Sequence, residues 1–519
     1  MLSINPPPLT LLFLKWYNFY ARSKFELLNL ATIRDSGALV SKLGYPLPGT
    51  TNGEFNFMKM QVTEIAKAVQ AVNAEQAWPD VNVTGVSFDS RRLQAGDLFI
   101  PLVGENDGHQ FIQSAIDHGA VATLWASDHA DSAPSDLPVI QVADTLSALQ
   151  QLGQYYLQKI NPKVVAVTGS NGKTTTKDMV ASVLSTQFNV TKTHANFNNQ
   201  IGVPITLLSM EPNTEVVVVE MGMDHFGELD FLSRLVQPDV AVITMIGEAH
   251  IEFFGTRDKI ADAKMEIVHG LKEDGTFIFN GDEPLLQERA QTVTQRQRTF
   301  GLNADNTLAG SDVDTSRAQT SFKASLWPDE TYTIPMMGAY NVNNALAALL
   351  VADTFHIRPN EARAALASFV PTENRTEWLT GSQGEAILSD VYNSNPTAAR
   401  RVLAAFAAVP TKGKRIAVLG DMLELGEQSD ALHTSLASEL DPDQIESVYL
   451  NGQHVAALAT ALRAKYADDA VHYYPTDEQA QLITDLEAEV QPDDQVLLKG
   501  SHGIHLENVL SALERTSEK

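Results

Sequence analysis

The chain has 519 residues, too long for one hydrophobic core, so roughly two to four domains are expected. Its 37 Lys and Arg stand against 64 Asp and Glu, a formal net charge of −27 spread along the chain, which argues against a nucleic-acid-binding surface and leaves anions to local devices such as helix N-termini. There is no cysteine, which excludes disulfides, thiolate metal sites and a Cys nucleophile and makes a reducing cytoplasm the simple reading.

In chain order, residues 1–57 read unlike the rest, with a proline triplet at Pro6 to Pro8 and a Gly/Pro/Thr/Asn-rich end. The apolar stretch Leu9 to Tyr20 is interrupted by Lys15 and followed by no small-residue cleavage site. A disordered leader or over-extended start is therefore expected rather than a signal peptide, and no run is long enough to span a bilayer. From Met58 or Met60 the pattern becomes regular. A compact α/β module is expected over 58–160, with a helix at Val62 to Val72, strands at Asp97 to Leu102 and Ala120 to Trp125, and a helix at Phe111 to His118.

Residues 161–370 alternate short Val/Ile runs with helical patterns. Lys163 to Val167 precedes a helix at Thr174 to Ser185, Glu215 to Val219 precedes Phe226 to Val236, and Asp239 to Thr244 precedes Lys259 to Leu271. Such alternation predicts a mainly parallel sheet covered on both faces. Helices are expected at Gly338 to Phe355 and Pro359 to Phe369. After the polar junction Val370 to Arg375, strands at Glu385 to Leu388, Arg415 to Leu419, Ser447 to Leu450 and Gln495 to Leu498, with a helix at Pro396 to Ala408, predict a second doubly wound domain over 371–519.

The segment Val167 to Thr175, Val-Thr-Gly-Ser-Asn-Gly-Lys-Thr-Thr, stands between a strand and a helix. Gly169 and Gly172 allow the backbone N–H groups of Thr168 to Thr175, Ser170 and Asn171 among them, to approach phosphate oxygens. Lys173 can reach the terminal phosphates, and the Thr174 hydroxyl can ligate Mg²⁺. Val167 stands where the common phosphate-loop pattern has glycine. Glu220 ends the next strand and His250 follows the one after, at the sheet edge where such folds place ligands, and both are candidate metal ligands. Each can also be read blandly, Glu220 as a helix cap and His250 as a satisfied polar residue. On pattern alone Lys264 is a solvated helix lysine, and Asn341 and Asn344 share a helix face as possible capping residues.

Taken together these motifs resemble the Mur ligase family over about residues 60–510. The agreement runs through Thr168-Gly-Ser-Asn-Gly-Lys-Thr-Thr, Asn196-Phe-Asn-Asn-Gln-Ile-Gly-Val-Pro, Glu220-Met-Gly, Gly247-Glu-Ala-His-Ile-Glu, Ala263-Lys-Met-Glu and Asn341-Val-Asn-Asn-Ala. Asp390-Val-Tyr-Asn-Ser-Asn-Pro and Leu419-Gly-Asp-Met-Leu-Glu-Leu-Gly point within the family to the members that add the final dipeptide, and Asp89-Ser-Arg and Gly104-Glu-Asn-Asp-Gly-His look like its UDP-sugar-binding segment. The resemblance implies an α/β fold of three domains: a UDP-sugar-binding domain at 58–160, a central phosphate-loop ATPase domain at 161–370 and a Rossmann-like ligase domain at 371–519.

It also implies ATP and Mg²⁺, two ions being expected, and a monomer acting in the cytoplasm on small molecules, without nucleic acid or membrane insertion. The substrates implied are UDP-MurNAc-tripeptide and D-Ala-D-Ala, joined through an acyl phosphate. Lys173, His250 and Lys264 would be catalytic, with Lys264 matching a position that related ligases carbamylate and so a metal ligand beside Thr174, Glu220 and His250. Asn341, Asn344, Arg375 and Asp390 would serve nucleotide. Asp89, Ser90, Arg91, Asn199, Tyr392, Asn393 and Asn395 would serve substrate. Two departures stand out: Asn374 where the family has glycine, and His502 where its late Gly-Ser-Arg-Gly motif has arginine, to which no role is assigned. The rival readings are a folylpolyglutamate-synthase-like ligase, which would not need the module at 58–160, an ATP-driven switch protein and a silent scaffold.

Overall fold

The computed structural model describes residues 58–372 and 375–514. The expected leader and Asn374 lie outside them. The chain divides into two compact units, one running to Ile160 and taking in Leu207–Asn213, the other comprising Asn161–Thr206 and Thr214 onward.

In the first unit β1 (Met60–Gln61) pairs antiparallel with β2 (Asn82–Val83), and β3 (Gly85–Ser87), β4 (Asp97–Phe99), β5 (Ala122–Ala126) and β6 (Val139–Val142) form a parallel sheet in that order. Helix α1 (Val62–Ala68) stops short of the expected Val72 because Gln70 takes φ 50°, a left-handed conformation that no α-helix continues through. The expected strand from Asp97 ends at Phe99, two residues before Pro101, which has no N–H for a ladder. A 3₁₀ turn at Gly108–Phe111 leads into α2 (Ile112–Asp117). Helix α3 (Thr145–Ile160), not anticipated, buries Ala148, Leu149, Leu152, Tyr156 and Leu157 on one face. Its Tyr156 hydroxyl donates to Met210 O at 3.0 Å, fastening Leu207–Asn213 to this unit.

In the second unit, one sheet runs β15 (Trp327–Ile334), β14 (Thr320–Ala324), β13 (Leu308–Thr315), β12 (Arg296–Gly301), β11 (Thr276–Asn280), β10 (Val240–Ile243), β7 (Lys163–Thr168), β9 (Val216–Glu220), β8 (Val190–Lys192). The ladder is parallel from β8 to β13, as the Val/Ile runs predict, and ends in an antiparallel extension, β13–β14–β15, that was not anticipated. The covering helices include α4 (Lys173–Leu184), α5 (Glu228–Val236), α6 (Ile251–Phe254), α7 (Arg257–Met265), α8 (Tyr340–Thr354) and α9 (Pro359–Ala367). Helix α8 packs on α4, and Val167, Val180, Val218, Val242, Leu346 and Leu349 share one core. Each such side chain contributes about 1.5–3 kcal/mol by leaving water. The chain passes from β7 to one edge and returns across it to β10, so the carboxyl end of β7 is a topological switch, where open α/β sheets bind ligands.

A separate sheet follows the junction, in the order β16 (Glu377–Thr380), β17 (Ala386–Asp390), β21 (Gln495–Lys499), β18 (Arg415–Gly420), β19 (Ser447–Asn451), β20 (Val471–Tyr474). Only the β16–β17 pair is antiparallel. Helix α10 (Pro396–Ala408) matches its expected bounds, with Pro396 at its first turn and Asn395 capping it by accepting from Ala398 N. This sheet has its own core, with Ile387, Val418, Leu486 and Leu498 at its centre.

Candidate active site

The loop between β7 and α4 is built by two glycines. Gly169 has φ 150° and Gly172 φ 81°. A Cβ on the first would collide with Thr244 Oγ1, and on the second with Asn344 Oδ1. The loop is braced from β10: Ser170 N donates to Met245 O at 2.9 Å, and Thr244 Oγ1 donates to Asn171 O at 2.5 Å. Gly172 is the N-cap of α4 and provides no side-chain cap, so the helix presents its first N–H groups and the positive end of its dipole to an anion. Lys173 Nζ donates to Gly169 O at 2.9 Å, while Thr174 and Thr175 are buried in the first turn.

Strand register brings the first carboxylate here. Val167 pairs with Glu220, so Glu220 lies on the neighbouring strand one residue short of the loop. Its N–H donates to Thr193 Oγ1 at 3.0 Å, and its Oε1 accepts from Asn198 Nδ2 at 2.9 Å. Its Oε2 is buried without a hydrogen-bond partner. Buried polar atoms are nearly always partnered, and a bare carboxylate oxygen is the hard donor that Mg²⁺ takes. The capping alternative for Glu220 is thereby set aside, since it closes a strand and caps no helix. His250 takes a left-handed φ of 64° at the head of α6, and its Nδ1 lies 2.5 Å from Glu424 Oε2 without hydrogen-bond alignment.

Lys264 is not a solvated helix residue. Its side chain on α7 is 2 % exposed. Burial pushes its pKa well below the ordinary lysine value, and the charge of Lys173 adds to the shift. Lys173 is itself lowered, first by burial and then by Arg375, against the opposing pull of Glu220. Lys173, Lys264, Glu220 and Arg375 therefore form one electrostatic neighbourhood.

The other sheet reaches this neighbourhood from its strand ends. Asn395 Nδ2 donates to Asn171 Oδ1 at 2.7 Å and Asn171 Nδ2 donates to Asn395 Oδ1 at 3.2 Å. Glu248 accepts from Thr397 N and Oγ1, both at 3.0 Å, at the head of α10. The Arg375 guanidinium lies 4.1 Å from the centre of the Tyr392 ring, which stacks in turn toward His502. Asp390 is held by the buried Lys499, Nζ to Oδ2 at 2.6 Å, and by Thr376 N at 3.2 Å; Lys499 also donates to Asn393 O.

Two expectations acquire different surroundings. Asn341 and Asn344 are hydrogen-bonded to each other, and Asn344 Oδ1 accepts from Thr176 directly behind Gly172, so the pair supports the back of the loop. Asn199 Oδ1 accepts from Ile201 N and Gly202 N and shapes its own turn; the neighbouring Asn198 is the residue that reaches Glu220. Thr244, Asn198, Glu248 and Lys499 are not among the residues that the sequence pattern points to. Asn198 and Glu248 lie inside recognised motifs, whereas Lys499, which closes β21, and Thr244, which follows β10, carry no further local signal.

In the first unit Asp89 receives Arg91 Nε and Nη2, each at 2.9 Å. Burial would raise the Asp89 pKa, but the hydrogen bonds and charge of Arg91 outweigh it and hold the carboxyl below its ordinary value. Ser90 is buried between them in sequence. Asp107 accepts from His109 Nδ1 and contacts His129 Nε2 at 2.8 Å, and the two imidazoles stack with centroids 4.1 Å apart.

Three family comparisons span these parts: the Mur ligase family catalytic domain matches residues 82–156, the Mur ligase middle domain 167–352, and the Mur ligase glutamate ligase domain 374–502. The UDP-N-acetylmuramoyl-tripeptide–D-alanyl-D-alanine ligase of Bacillus subtilis (strain 168) is 41% identical over 457 residues, covering 88% of this chain and 98% of the relative. Among solved structures, MurF from Acinetobacter baumannii superimposes with a TM-score of 0.78 at 28% identity, covering 88% of this chain and 99% of that one. The MurF ligase of Thermotoga maritima, solved in complex with ADP, gives 0.71 at 28% identity, covering 83% and 97%.

Proposed function

We propose, from the premise that this chain belongs to the Mur ligase family, that it joins D-alanyl-D-alanine to UDP-N-acetylmuramoyl-tripeptide with conversion of ATP to ADP and phosphate. This completes the UDP-MurNAc-pentapeptide precursor of peptidoglycan. The observation that carries the catalytic assignment is the buried, unpartnered Glu220 Oε2 one residue from the loop.

A carboxylate does not acylate an amine in water until its oxygen becomes a leaving group. The tripeptide carboxylate oxygen attacks the γ-phosphorus of ATP, the bond to the β-bridging oxygen breaks, and ADP leaves with that electron pair. The dipeptide amine then attacks the acyl carbon, the C–O bond to phosphate breaks, and the amine loses a proton. The chain's part is to position these groups and neutralise their charge. The N–H groups of Gly169 to Thr175 and the Lys173 ammonium receive the phosphates, Asn341, Asn344, Arg375 and Asp390 order the nucleotide side, and Tyr392, Asn393 and Asn395 face the incoming dipeptide. Asp89, Ser90 and Arg91 serve the UDP-sugar, and Asn199 serves substrate from within 161–370.

Thr174, Glu220 and His250 would hold Mg²⁺, which when bound offsets phosphate charge. Lys264 suits carbamylation because burial favours its neutral amine: the nitrogen attacks CO₂, an N–C bond forms, one proton leaves, and the amine becomes an anionic oxygen donor for a second ion. The functional division is 58–160 for UDP-sugar, 161–370 for ATP and 371–519 for the dipeptide, in a monomer working in the cytoplasm. Among the described residues no helix is long and apolar enough to cross a membrane.

The test is ADP release by the purified protein with UDP-MurNAc-tripeptide, with and without D-Ala-D-Ala. Turnover that requires the dipeptide supports the ligase reading. Turnover indifferent to it identifies an ATP-driven switch instead.

A further inference from the structure

Helix α4 carries two adjacent charges immediately past the phosphate loop, Lys177 and Asp178, with exposures of 2 % and 6 %. Neither belongs to the site as proposed. Burying opposite charges costs desolvation that an apolar pair of the same shape would avoid, so such a pair calls for a role beyond stability. Their partners trace a continuous path. Asp178 Oδ2 accepts from Thr372 Oγ1 at 2.6 Å, and Thr372 lies in the junction three residues before Arg375. Asp178 Oδ1 lies 3.1 Å from Lys177 Nζ and accepts from Lys192 Nζ at 2.7 Å. Lys177 Nζ donates to Thr193 O at 2.9 Å, and Thr193 Oγ1 accepts the Glu220 N–H at 3.0 Å. Thr193 N donates to Val218 O, so Thr193 is held at its carbonyl, amide and hydroxyl.

We infer that Lys177 and Asp178 are positioning residues linking the junction that carries Arg375 to the Glu220 carboxylate. The junction holds Asp178, Asp178 holds Lys177, and Lys177 fixes the residue that sets the backbone of Glu220. A shift of Thr372 thus reaches the Glu220 backbone through hydrogen bonds and one ion pair, coupling the junction to the readiness of the metal site. This rests on the metal-binding role proposed for Glu220.

Mn²⁺ serves as the probe, its binding to the full chain followed by electron paramagnetic resonance with a non-hydrolysable ATP analogue present. Lys177→Met is expected to weaken Mn²⁺ binding about 10-fold. Thr372→Val, which removes only the junction hydroxyl, is expected to weaken it about 3-fold, and Thr372→Ser to restore it. A purely structural role for Thr372 would lower the melting temperature without moving Mn²⁺ affinity. Asp178→Asn, which keeps the side-chain shape, is a second probe of the same link and should also weaken binding. Wild-type affinity in both Thr372→Val and Asp178→Asn, with weakened binding in Glu220→Gln, overturns the link and leaves the metal assignment standing. Wild-type affinity in Glu220→Gln overturns the metal assignment and the link with it.

Discussion

Asn171 and Asn395 exchange two amide hydrogen bonds, at 2.7 and 3.2 Å, across 224 positions of sequence. Asn171 sits in the phosphate loop and Asn395 caps α10, so the group that begins this helix also holds the loop. Asn395 Oδ1 must accept from Ala398 N, which orients its amide nitrogen toward Asn171. Asn395→Asp keeps the cap but sets a carboxylate oxygen against Asn171 Oδ1. It is expected to preserve the melting temperature while raising the KM for ATP, whereas Asn395→Ala loses the cap as well and costs about 1 kcal/mol in chemical denaturation.

Glu220→Gln separates stability from activity. The wild-type carboxylate leaves Oε2 buried without a partner, a cost that a neutral amide reduces. The variant is expected to melt at the wild-type temperature or above it while losing about 100-fold or more in ADP release. A variant with wild-type turnover would remove Glu220 from the metal site.

Lys264→Ala is expected to lose about 100-fold in turnover and to recover part of it when short carboxylic acids are added, because they replace the anionic oxygen of a carbamate. In the wild type, the neutral amine favoured by burial predicts stimulation by bicarbonate in CO₂-depleted buffer. Native intact mass measured under CO₂ should carry the added carboxyl group, and the alanine variant should lack it. Unchanged turnover in the alanine variant would return Lys264 to a packing role.

His433 predicts a pH dependence of stability. Its Nε2 accepts from Met422 N at 2.8 Å and its Nδ1 meets Ser429 O at 2.7 Å, an arrangement that suits the neutral ring. Burial is the largest cause of a pKa below the ordinary histidine value, joined by the charge of His454. Because the folded pKa lies below the unfolded value of about 6.5, its contribution is complete above that pH and is lost as pH falls toward the folded pKa. His433→Gln is expected to flatten the slope of unfolding free energy below about pH 6.5, by at most about 1.4 kcal/mol per pH unit. Equal slopes in the two proteins would assign the acid sensitivity to other groups.

The sequence by itself determined the parts whose chemistry is local. A Val-rich run, two glycines and a Lys-Thr pair specify strand, loop and helix from Lys163 to Leu184, because continuous apolar patterning and left-handed backbone act over a few residues. Pro396 after a capping Asn395 likewise made the bounds of α10 legible. The extension β13–β15 was not legible: Leu308–Thr315 is half polar and half exposed, with no alternating buried stripe, and its strand character comes from its neighbours. Tertiary structure alone decided the site. The register pairing Val167 with Glu220 sets the carboxylate beside the loop, packing of α7 turns Lys264 from a solvated residue into a buried amine, and Asn198 rather than Asn199 reaches Glu220. Each of these depends on contacts between residues far apart in the chain, and periodicity carries no information about register between distant strands or about which helix face a neighbour will cover.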